Sequence, residues 1–159
     1  MGVSGCGKTT VGSRLAKVCG WKFFDADEFH PAENIAKMTA GEALADADRE
    51  PWLARLNLLL CGCARDGESA VLACSALKQV YRERLAQGIS DIRFVYLRGD
   101  FTLITARMQA RKDHYMKAGL LESQFAALEE PRNAVVADIA DSPDAIVARI
   151  RSELKISSD

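Results

Sequence analysis

The first ten residues constrain the fold of this chain more than any other stretch. Residues 1–10 are Met-Gly-Val-Ser-Gly-Cys-Gly-Lys-Thr-Thr, in which Gly2, Gly7, Lys8 and Thr9 fit the spacing G-x-x-x-x-G-K-[ST]. Glycines at this spacing let the backbone curl so that several N–H groups point at one phosphate. The apolar residues that follow have helical spacing. The pattern therefore predicts a phosphate-binding loop at the start of a helix.

The same loop supplies candidate ligands for a nucleotide and its metal ion. The Lys8 ammonium suits the β- and γ-phosphates, so we assign it both binding and catalysis, and the Thr9 hydroxyl suits Mg²⁺. The nucleotide-binding residues predicted from the loop are Gly2, Val3, Ser4, Gly5, Cys6, Gly7, Lys8, Thr9 and Thr10. A flexible glycine-rich N terminus is the alternative, and the helical pattern after the loop argues against it.

Composition narrows the possible classes of protein. A chain of 159 residues is predicted to form one domain over residues 1–159. Its formal net charge of −1 creates no electrostatic field that favours nucleic acid or an anionic membrane. No apolar run reaches the roughly 18 residues of a membrane span. The five cysteines contain no C-x-x-C pair, and their odd number suits reduced thiols better than a secreted disulfide framework. We therefore expect a cytoplasmic protein with no nucleic-acid and no membrane partner.

Short apolar runs alternate with helical patterns along the chain. Strands are predicted at residues 21–25, 70–74, 93–97 and 134–139, and helices at residues 8–19, 51–63, 77–87, 101–113, 120–129 and 142–156. Such alternation gives an α/β fold in which a parallel sheet lies between two layers of helices. We predict this three-layer α/β/α arrangement, with Pro51 in the first turn of its helix and a helical lid around residues 107–130.

The strand that normally precedes a phosphate loop is not found in this sequence. Such a loop connects a strand at the centre of the sheet to a helix, and only Met1 precedes Gly2. We therefore expect the first, central strand to be missing from the N terminus, and the natural protein to begin several residues upstream of Met1. Without that strand, both neighbouring strands would be unpaired and the chain would be weakly stable.

Two aspartates, Asp25 and Asp27, follow the first predicted strand. Ligands of parallel sheets bind at the carboxyl ends of the strands, so we expect both carboxylates near the phosphate loop. We assign Asp25 to Mg²⁺ and Asp27 to the substrate, with Asp27 as the base that accepts a proton from the attacking hydroxyl. A solvated acidic turn is the alternative. No aspartate ends the strand at residues 70–74, where a Mg²⁺-binding aspartate is usual. Asp25 and Asp27 are therefore the stronger candidates for that role.

Basic residues are candidates for binding the substrate and for a lid. Lys78 and Arg82 are four residues apart and are predicted to share one helix face, where they could clamp a substrate carboxylate. Arg107 and Arg111 have the same spacing, and a lid could carry Arg107 to the nucleotide and Arg111 to the charge of the transition state. A solvated basic face is the alternative for each pair. We assign His30 to structure or to substrate contact rather than to a metal.

Eight segments spread over nearly the whole chain carry a resemblance to a known family. They are residues 1–9, 27–31, 34–38, 46–53, 73–78, 94–97, 110–116 and 123–131. In these segments the chain resembles the gluconokinases, which are phosphate-loop carbohydrate kinases. The resemblance implies phosphorylation of D-gluconate to 6-phospho-D-gluconate with ATP and Mg²⁺, in a cytoplasmic and often homodimeric protein. The chain departs from the family at Cys6, where serine is usual, and at Arg132-Asn133, where an acidic stretch is usual.

Three other functions are compatible with a phosphate loop. One is a related small-molecule kinase, of the shikimate kinase type, and another is an inactive, truncated chain that binds nucleotide. The third is a nucleotide-dependent switch, but a GTPase switch carries D-x-x-G and N-K-x-D motifs, and neither occurs in this sequence.

Overall fold

The computed structural model describes residues 1–110 and 118–156 of the chain. Helices and strands alternate through this part of the chain, as the sequence predicts. The elements are α1 (Lys8–Cys19), β1 (Lys22–Asp25), α2 (Ala32–Thr39), α3 (Asp46–Arg65), β2 (Ala70–Ala73), α4 (Gln79–Ala86), β3 (Phe94–Arg98), α5 (Phe101–Gln109), α6 (Ala118–Ala127), β4 (Ala134–Asp138) and α7 (Pro143–Glu153). A 3₁₀ turn, Ala26–Phe29, follows β1.

The four strands form two separate parallel pairs. β1 pairs with β2, from Lys22 opposite Ala70 to Asp25 opposite Ala73. β3 pairs with β4 over five residues of each strand. Parallel pairing of strands joined by helices confirms the predicted α/β class, but the sheet is divided where a single continuous sheet was expected.

Met1 and Gly2 lie between the two strand pairs. The Met1 amine donates to the Val95 carbonyl (2.5 Å), and the Leu97 N–H donates back to the Met1 carbonyl (3.0 Å), which is the bonding pattern of a parallel ladder. On the other side, the Gly2 N–H donates to the Ser75 carbonyl at 3.1 Å. Two residues thus stand in the position of the central strand. Beyond them, β2 and β3 face a cavity of about 1130 Å³.

Two clusters of buried apolar side chains form the core of the described residues. The larger contains Val3 and Cys6 of the loop together with residues of α1, α5, α6, α7, β3 and β4. The smaller contains Leu53 and Leu56 of α3 with residues of α4, of the 3₁₀ turn and of the segment that follows β2, and Met1 packs against it. The phosphate loop therefore belongs to one core, while the residue immediately before it packs on the other.

Helix α3 begins earlier than the sequence pattern predicts. The prediction that Pro51 lies in the first turn is wrong, because the helix begins at Asp46 and Pro51 lies inside it. The Asp48 carboxylate accepts the Ala45 N–H at 2.8 Å and so satisfies a backbone group at the helix start. Asp46 and Asp48 also place negative charge in the first turn, which the helix dipole favours. Pro51 is exposed, so its ring disturbs no core packing.

The described parts of the predicted lid, residues 107–110 and 118–130, contribute apolar side chains to the larger core. Helix α5 ends at Gln109 and α6 covers Ala118–Ala127, so α6 ends two residues before its predicted end. Leu121 of α6 is buried in the larger core. Arg111 lies outside the described residues, and the movement of this segment as a lid stays a prediction. No helix within residues 1–110 and 118–156 is long and apolar enough to cross a membrane.

Candidate active site

The N-terminal loop adopts a conformation that depends on its glycines. Gly5 and Gly7 have φ values of 80° and 94°, in the left-handed region that side chains disfavour. A Cβ at Gly5 would approach Met108 Cγ to 2.8 Å. Gly7 is the N-cap residue of α1 and makes no side-chain cap, so N–H groups of the first turn remain available for an anion. The loop therefore has the backbone geometry that phosphate binding requires.

Lys8 and Thr9 at the start of α1 point to different parts of the site. The Lys8 ammonium donates to the Val3 carbonyl at 3.0 Å, which folds the side chain back over its own loop. The Thr9 hydroxyl donates to Asp25 Oδ2 at 2.8 Å. The two residues predicted to bind metal therefore meet, although they are sixteen positions apart in the sequence.

The end of β1 holds the two predicted carboxylates in different ways. Asp25 accepts the Thr9 hydroxyl through Oδ2 and the Asp27 N–H through Oδ1, the latter at 3.2 Å, so its carboxylate is fixed by two donors. Asp27 follows in the 3₁₀ turn, and its side chain is exposed. One carboxylate is therefore positioned by the protein, and the other faces solvent at the same edge of the sheet.

These oxygens fit a hard cation that is bound partly through phosphate. Within residues 1–110 and 118–156, no group of three His, Cys, Asp or Glu side chains gathers as a metal site. Mg²⁺ is usually held by one or two protein oxygens together with substrate phosphates and water. The Thr9 hydroxyl and the Asp25 carboxylate, next to a phosphate loop, match that donor set.

His30 is buried against Trp52 next to the carboxylates. The two rings stack with centroids 4.3 Å apart, and only 8% of His30 is exposed. The Trp52 indole N–H donates to the Ala26 carbonyl at 2.8 Å, which ties α3 to the 3₁₀ turn. Burial lowers the pKa of His30, opposed by the negative charge of Asp27 and assisted by the positive charge of Arg49. The lowered pKa favours the neutral form of the His30 ring.

The structure separates Lys78 and Arg82, which were predicted to share a helix face. Helix α4 begins at Gln79, so Lys78 precedes the helix, and its ammonium binds Asp46. Arg82 is 4% exposed and donates to the Ala76 and Leu77 carbonyls, both at 3.0 Å. Its guanidinium thereby supports the turn before α4. The expected joint clamp is not seen, and a substrate contact by either residue stays a prediction.

The structure describes only one of the two arginines predicted for the lid. The Arg107 guanidinium donates to the Ile139 carbonyl at 2.5 Å, which holds α5 to the end of β4. Arg111 lies outside the described residues. Contact of Arg107 with a nucleotide therefore stays a prediction, as does the catalytic role of Arg111.

Two features of the site were not predicted from the sequence. Gln124 of α6 reaches the phosphate loop, where its Oε1 accepts the Ser4 N–H at 2.7 Å and its Nε2 donates to Ser4 Oγ at 3.1 Å. Arg49 lies with Asp46, Lys78 and Tyr81 in a cluster at the start of α3. The i, i+3 spacing of Asp46 and Arg49 was a usable local signal, whereas Gln124 has no neighbour in sequence that indicates its contact.

The parallel α/β fold, the glycine loop and the carboxylates at the end of β1 together define a phosphate-loop kinase. A sequence model described as Shikimate kinase matches residues 4–155. The thermosensitive gluconokinase of Escherichia coli (strain K12) is 48% identical over 132 residues, which cover 83% of this chain and 71% of that protein.

Two solved structures are similar over almost the whole chain. An unliganded sugar kinase from Janibacter sp. HTCC2649 is 42% identical with a TM-score of 0.92, and the match covers 99% of this chain and 93% of that one. A gluconokinase from Sinorhizobium meliloti 1021 is 38% identical with a TM-score of 0.85, over 100% and 95% of the two chains. The chain therefore belongs to the gluconokinase branch of the phosphate-loop kinases that the shikimate kinase model describes.

Proposed function

We propose that this protein transfers the terminal phosphoryl group of ATP to D-gluconate and forms 6-phospho-D-gluconate. The observation that carries the proposal is the Thr9–Asp25 hydrogen bond of 2.8 Å, which joins the phosphate loop to the strand end where Asp27 is exposed. Nucleotide phosphates, metal and acceptor hydroxyl can therefore be bound at one edge of the sheet. The choice of gluconate as acceptor is supported by the gluconokinase names of the relatives.

We assign each residue of the site a role in this reaction. The Lys8 ammonium and N–H groups of residues 2–10 would bind the nucleotide phosphates, except that the Gly2 and Ser4 N–H groups already donate to the Ser75 carbonyl and to Gln124. Mg²⁺, held by Thr9 Oγ1 and Asp25, would neutralise charge on those phosphates. Asp27 would accept the proton of the gluconate 6-hydroxyl as its oxygen bonds to the γ-phosphorus, while the bond from that phosphorus to the β–γ bridging oxygen breaks and ADP leaves.

Two arginines of the predicted lid are assigned to the nucleotide and to the transferring phosphoryl group. Arg107 would contact the nucleotide, and Arg111 would place its charge on the transferring group. Gln124 joins α6 to the phosphate loop through Ser4. A movement of α6 would therefore displace the Ser4 N–H group of the loop. His30, with its stacked ring beside Asp27, would contact the sugar acid.

A comparison of acceptors tests the proposal. Release of ADP by the purified protein would be measured with gluconate, with shikimate and with several nucleoside monophosphates, and gluconate is expected to react fastest. Asp27→Asn should lower kcat about a hundredfold or more, because it removes the base without changing the shape of the side chain. Faster turnover of shikimate or of a nucleotide would overturn the proposal.

We also propose a reducing compartment and a homodimer, as the family resemblance implies. All five cysteines are free thiols, and Cys6, Cys63 and Cys74 are buried. Burial raises the pKa of the Cys74 thiol to about 11, so it is unreactive at neutral pH. Light scattering of the purified protein tests the dimer, which a monomeric mass would exclude.

A further inference from the structure

Gln124 of α6 contacts the phosphate loop through both polar atoms of its side chain. Its Oε1 accepts the Ser4 N–H at 2.7 Å, and its Nε2 donates to Ser4 Oγ at 3.1 Å. The two residues are 120 positions apart in the sequence. One side chain therefore fixes both the backbone and the hydroxyl group of Ser4.

The polarity of this double contact determines what the Ser4 hydroxyl can do. A backbone N–H can only donate, so the amide oxygen of Gln124 faces it and the amide nitrogen faces Ser4 Oγ. Because an amide nitrogen donates and does not accept, Oγ is the acceptor and keeps its own proton for another partner. Among the hydrogen bonds of residues 1–110 and 118–156, the Ser4 hydroxyl donates to no protein group.

Both sides of the contact are held by the larger core. Leu121, one turn before Gln124, is 3% exposed in that core. On the loop side, Val3 and Cys6 are 2% and 1% exposed in the same core, whereas Ser4 between them is partly exposed. The contact is therefore formed before a nucleotide binds, and the hydroxyl needs little reorganisation to donate to a ligand.

The Lys8 ammonium indicates which phosphate lies near Ser4. The lysine of such a loop reaches the β- and γ-phosphates. Here its Nζ lies 3.0 Å from the carbonyl oxygen of Val3, the residue directly before Ser4. The free proton of the Ser4 hydroxyl is therefore available at the end of the loop where the terminal phosphate is expected. A transferring phosphoryl group carries charge on three oxygens, which a positioned donor stabilises.

We propose that the Ser4 hydroxyl donates to the terminal phosphoryl group of ATP, and that Gln124 is the positioning residue that orients this hydroxyl. The inference rests on the proposed function, because it concerns the same phosphoryl transfer. Ser4 would touch the reacting group, whereas Gln124 would act only through Ser4. The pair would also distinguish ATP from ADP, because ADP lacks the group that the hydroxyl contacts.

Nucleotide binding tests the role of the Ser4 hydroxyl. Calorimetry would compare ADP with adenylyl imidodiphosphate, an ATP analogue that keeps a terminal phosphate, each with Mg²⁺. Ser4→Ala should weaken binding of the analogue about tenfold and change binding of ADP less than about twofold, because only the analogue offers the charged acceptor. Ser13→Ala is the matched control, since the Ser13 hydroxyl bonds the Thr10 carbonyl on the exposed face of α1.

Gln124→Met tests the positioning role and leaves the loop sequence intact, so it serves even if Ser4→Ala does not fold. It removes both hydrogen bonds and keeps the side-chain length, so binding of the analogue should weaken about threefold or more with little change for ADP. Gln87→Met is the control, because Gln87 is exposed at the end of α4 and bonds Arg84. A contact that only stabilises the loop would weaken both ligands equally, and that result would overturn the inference.

Turnover of the double variant measures whether Gln124 acts through Ser4. Ser4→Ala should lower kcat about tenfold in the parent, but at most about threefold in the Gln124→Met background, where the hydroxyl is no longer oriented. Equal factors in the two backgrounds would overturn the positioning role.

The two kinds of measurement separate this inference from the proposed function. If the variants lose the analogue selectively but gluconate is not phosphorylated, the function is overturned and the inference stands. If gluconate is phosphorylated while all variants bind the analogue and ADP as the parent does, the inference is overturned and the function stands. A parent protein that binds neither nucleotide and phosphorylates nothing would overturn both.

Discussion

The hydroxyl of Thr9 and the carboxylate of Asp25 are 2.8 Å apart, which connects the first turn of α1 to the end of β1. Both side chains present oxygen next to the phosphate loop, and Asp25 is fixed further by the Asp27 N–H. Paired in this way, the two oxygens are positioned before any cation binds. The relationship makes the metal site the most directly testable part of the proposed mechanism.

Asp25→Asn should raise the Mg²⁺ concentration needed for half-maximal activity by about tenfold or more. The amide keeps the hydrogen bond to Thr9 but loses the negative charge that favours the cation. The measurement is initial rate against Mg²⁺ at saturating ATP and gluconate. Asp144→Asn is a control, since that exposed carboxylate pairs with Arg14 on the outer side of α1. An unchanged Mg²⁺ requirement in Asp25→Asn would exclude the assigned role.

Lys8→Met should lower kcat about 10²–10³-fold, because loss of one positioned donor to a developing charge costs about 3–4 kcal/mol. The Lys8 ammonium donates to the Val3 carbonyl, and methionine keeps most of the side-chain volume, so the melting temperature should change little. Single-turnover rates and thermal unfolding check the two parts of the prediction. A variant that keeps more than about a tenth of the parent kcat would contradict it.

Arg111→Ala should lower kcat more than it raises the KM for gluconate. An arginine that contacts the transferring group acts mainly in the transition state, so its loss appears in kcat. Arg93→Ala is the control for loss of positive charge, because Arg93 pairs with Asp91 on the surface. If only the KM for gluconate changes, Arg111 binds the sugar acid and the lid role is wrong.

An apolar strand placed before Met1 should stabilise the protein. The cavity of about 1130 Å³ between β2 and β3 is lined by apolar side chains such as Val71 and Val95, and about eight added apolar-rich residues should pair with both strands. Three or four newly buried side chains at about 1.5–3 kcal/mol each should raise the melting temperature by about 10 °C or more. A glycine-serine extension of equal length should not do so. Equal melting temperatures for both extensions would refute the prediction.

Stability should fall as the pH drops below the ordinary pKa of His30, 6.5. Burial lowers the pKa of His30 in the folded protein, so the unfolded chain takes up its proton first and acid favours unfolding. The contribution is present above pH 6.5 and is lost as the pH falls towards the lower, folded value. Chemical denaturation of the parent and of His30→Asn, between about pH 5 and 7.5, should show a steeper loss of stability towards acid in the parent than in the variant.

The loop and the carboxylates at the strand end could be predicted because their determinants are local. Gly2, Gly7, Lys8 and Thr9 lie within eight consecutive residues, and Asp25 ends an apolar run whose direction fixes its position in a parallel sheet. The class of fold follows from the same alternation of elements. Both predictions required only short-range patterns and the handedness of strand connections.

These short-range sequence patterns do not predict contacts between elements that are distant in the sequence. Four-residue spacing places Lys78 and Arg82 on one face only if the helix includes both, and α4 begins one residue after Lys78. Arg82 then turns inward to satisfy two backbone carbonyls, which no helix periodicity indicates. The partner of Lys78 is Asp46, 32 positions away, and their meeting depends on the packing of α3 against α4.

The division of the core has a mechanical consequence for ligand binding. The phosphate loop and α6 pack with the larger core, whereas Trp52 and the turn that carries Asp27 pack with the smaller. In the proposed mechanism the nucleotide would therefore contact residues packed on the larger core and the acceptor would contact residues packed on the smaller, so a complex of both would connect the two cores. A ligand that binds only the folded protein raises the free energy of unfolding by about 2.7 kcal/mol at a hundred times its Kd. Here that stabilisation would oppose separation of the two cores.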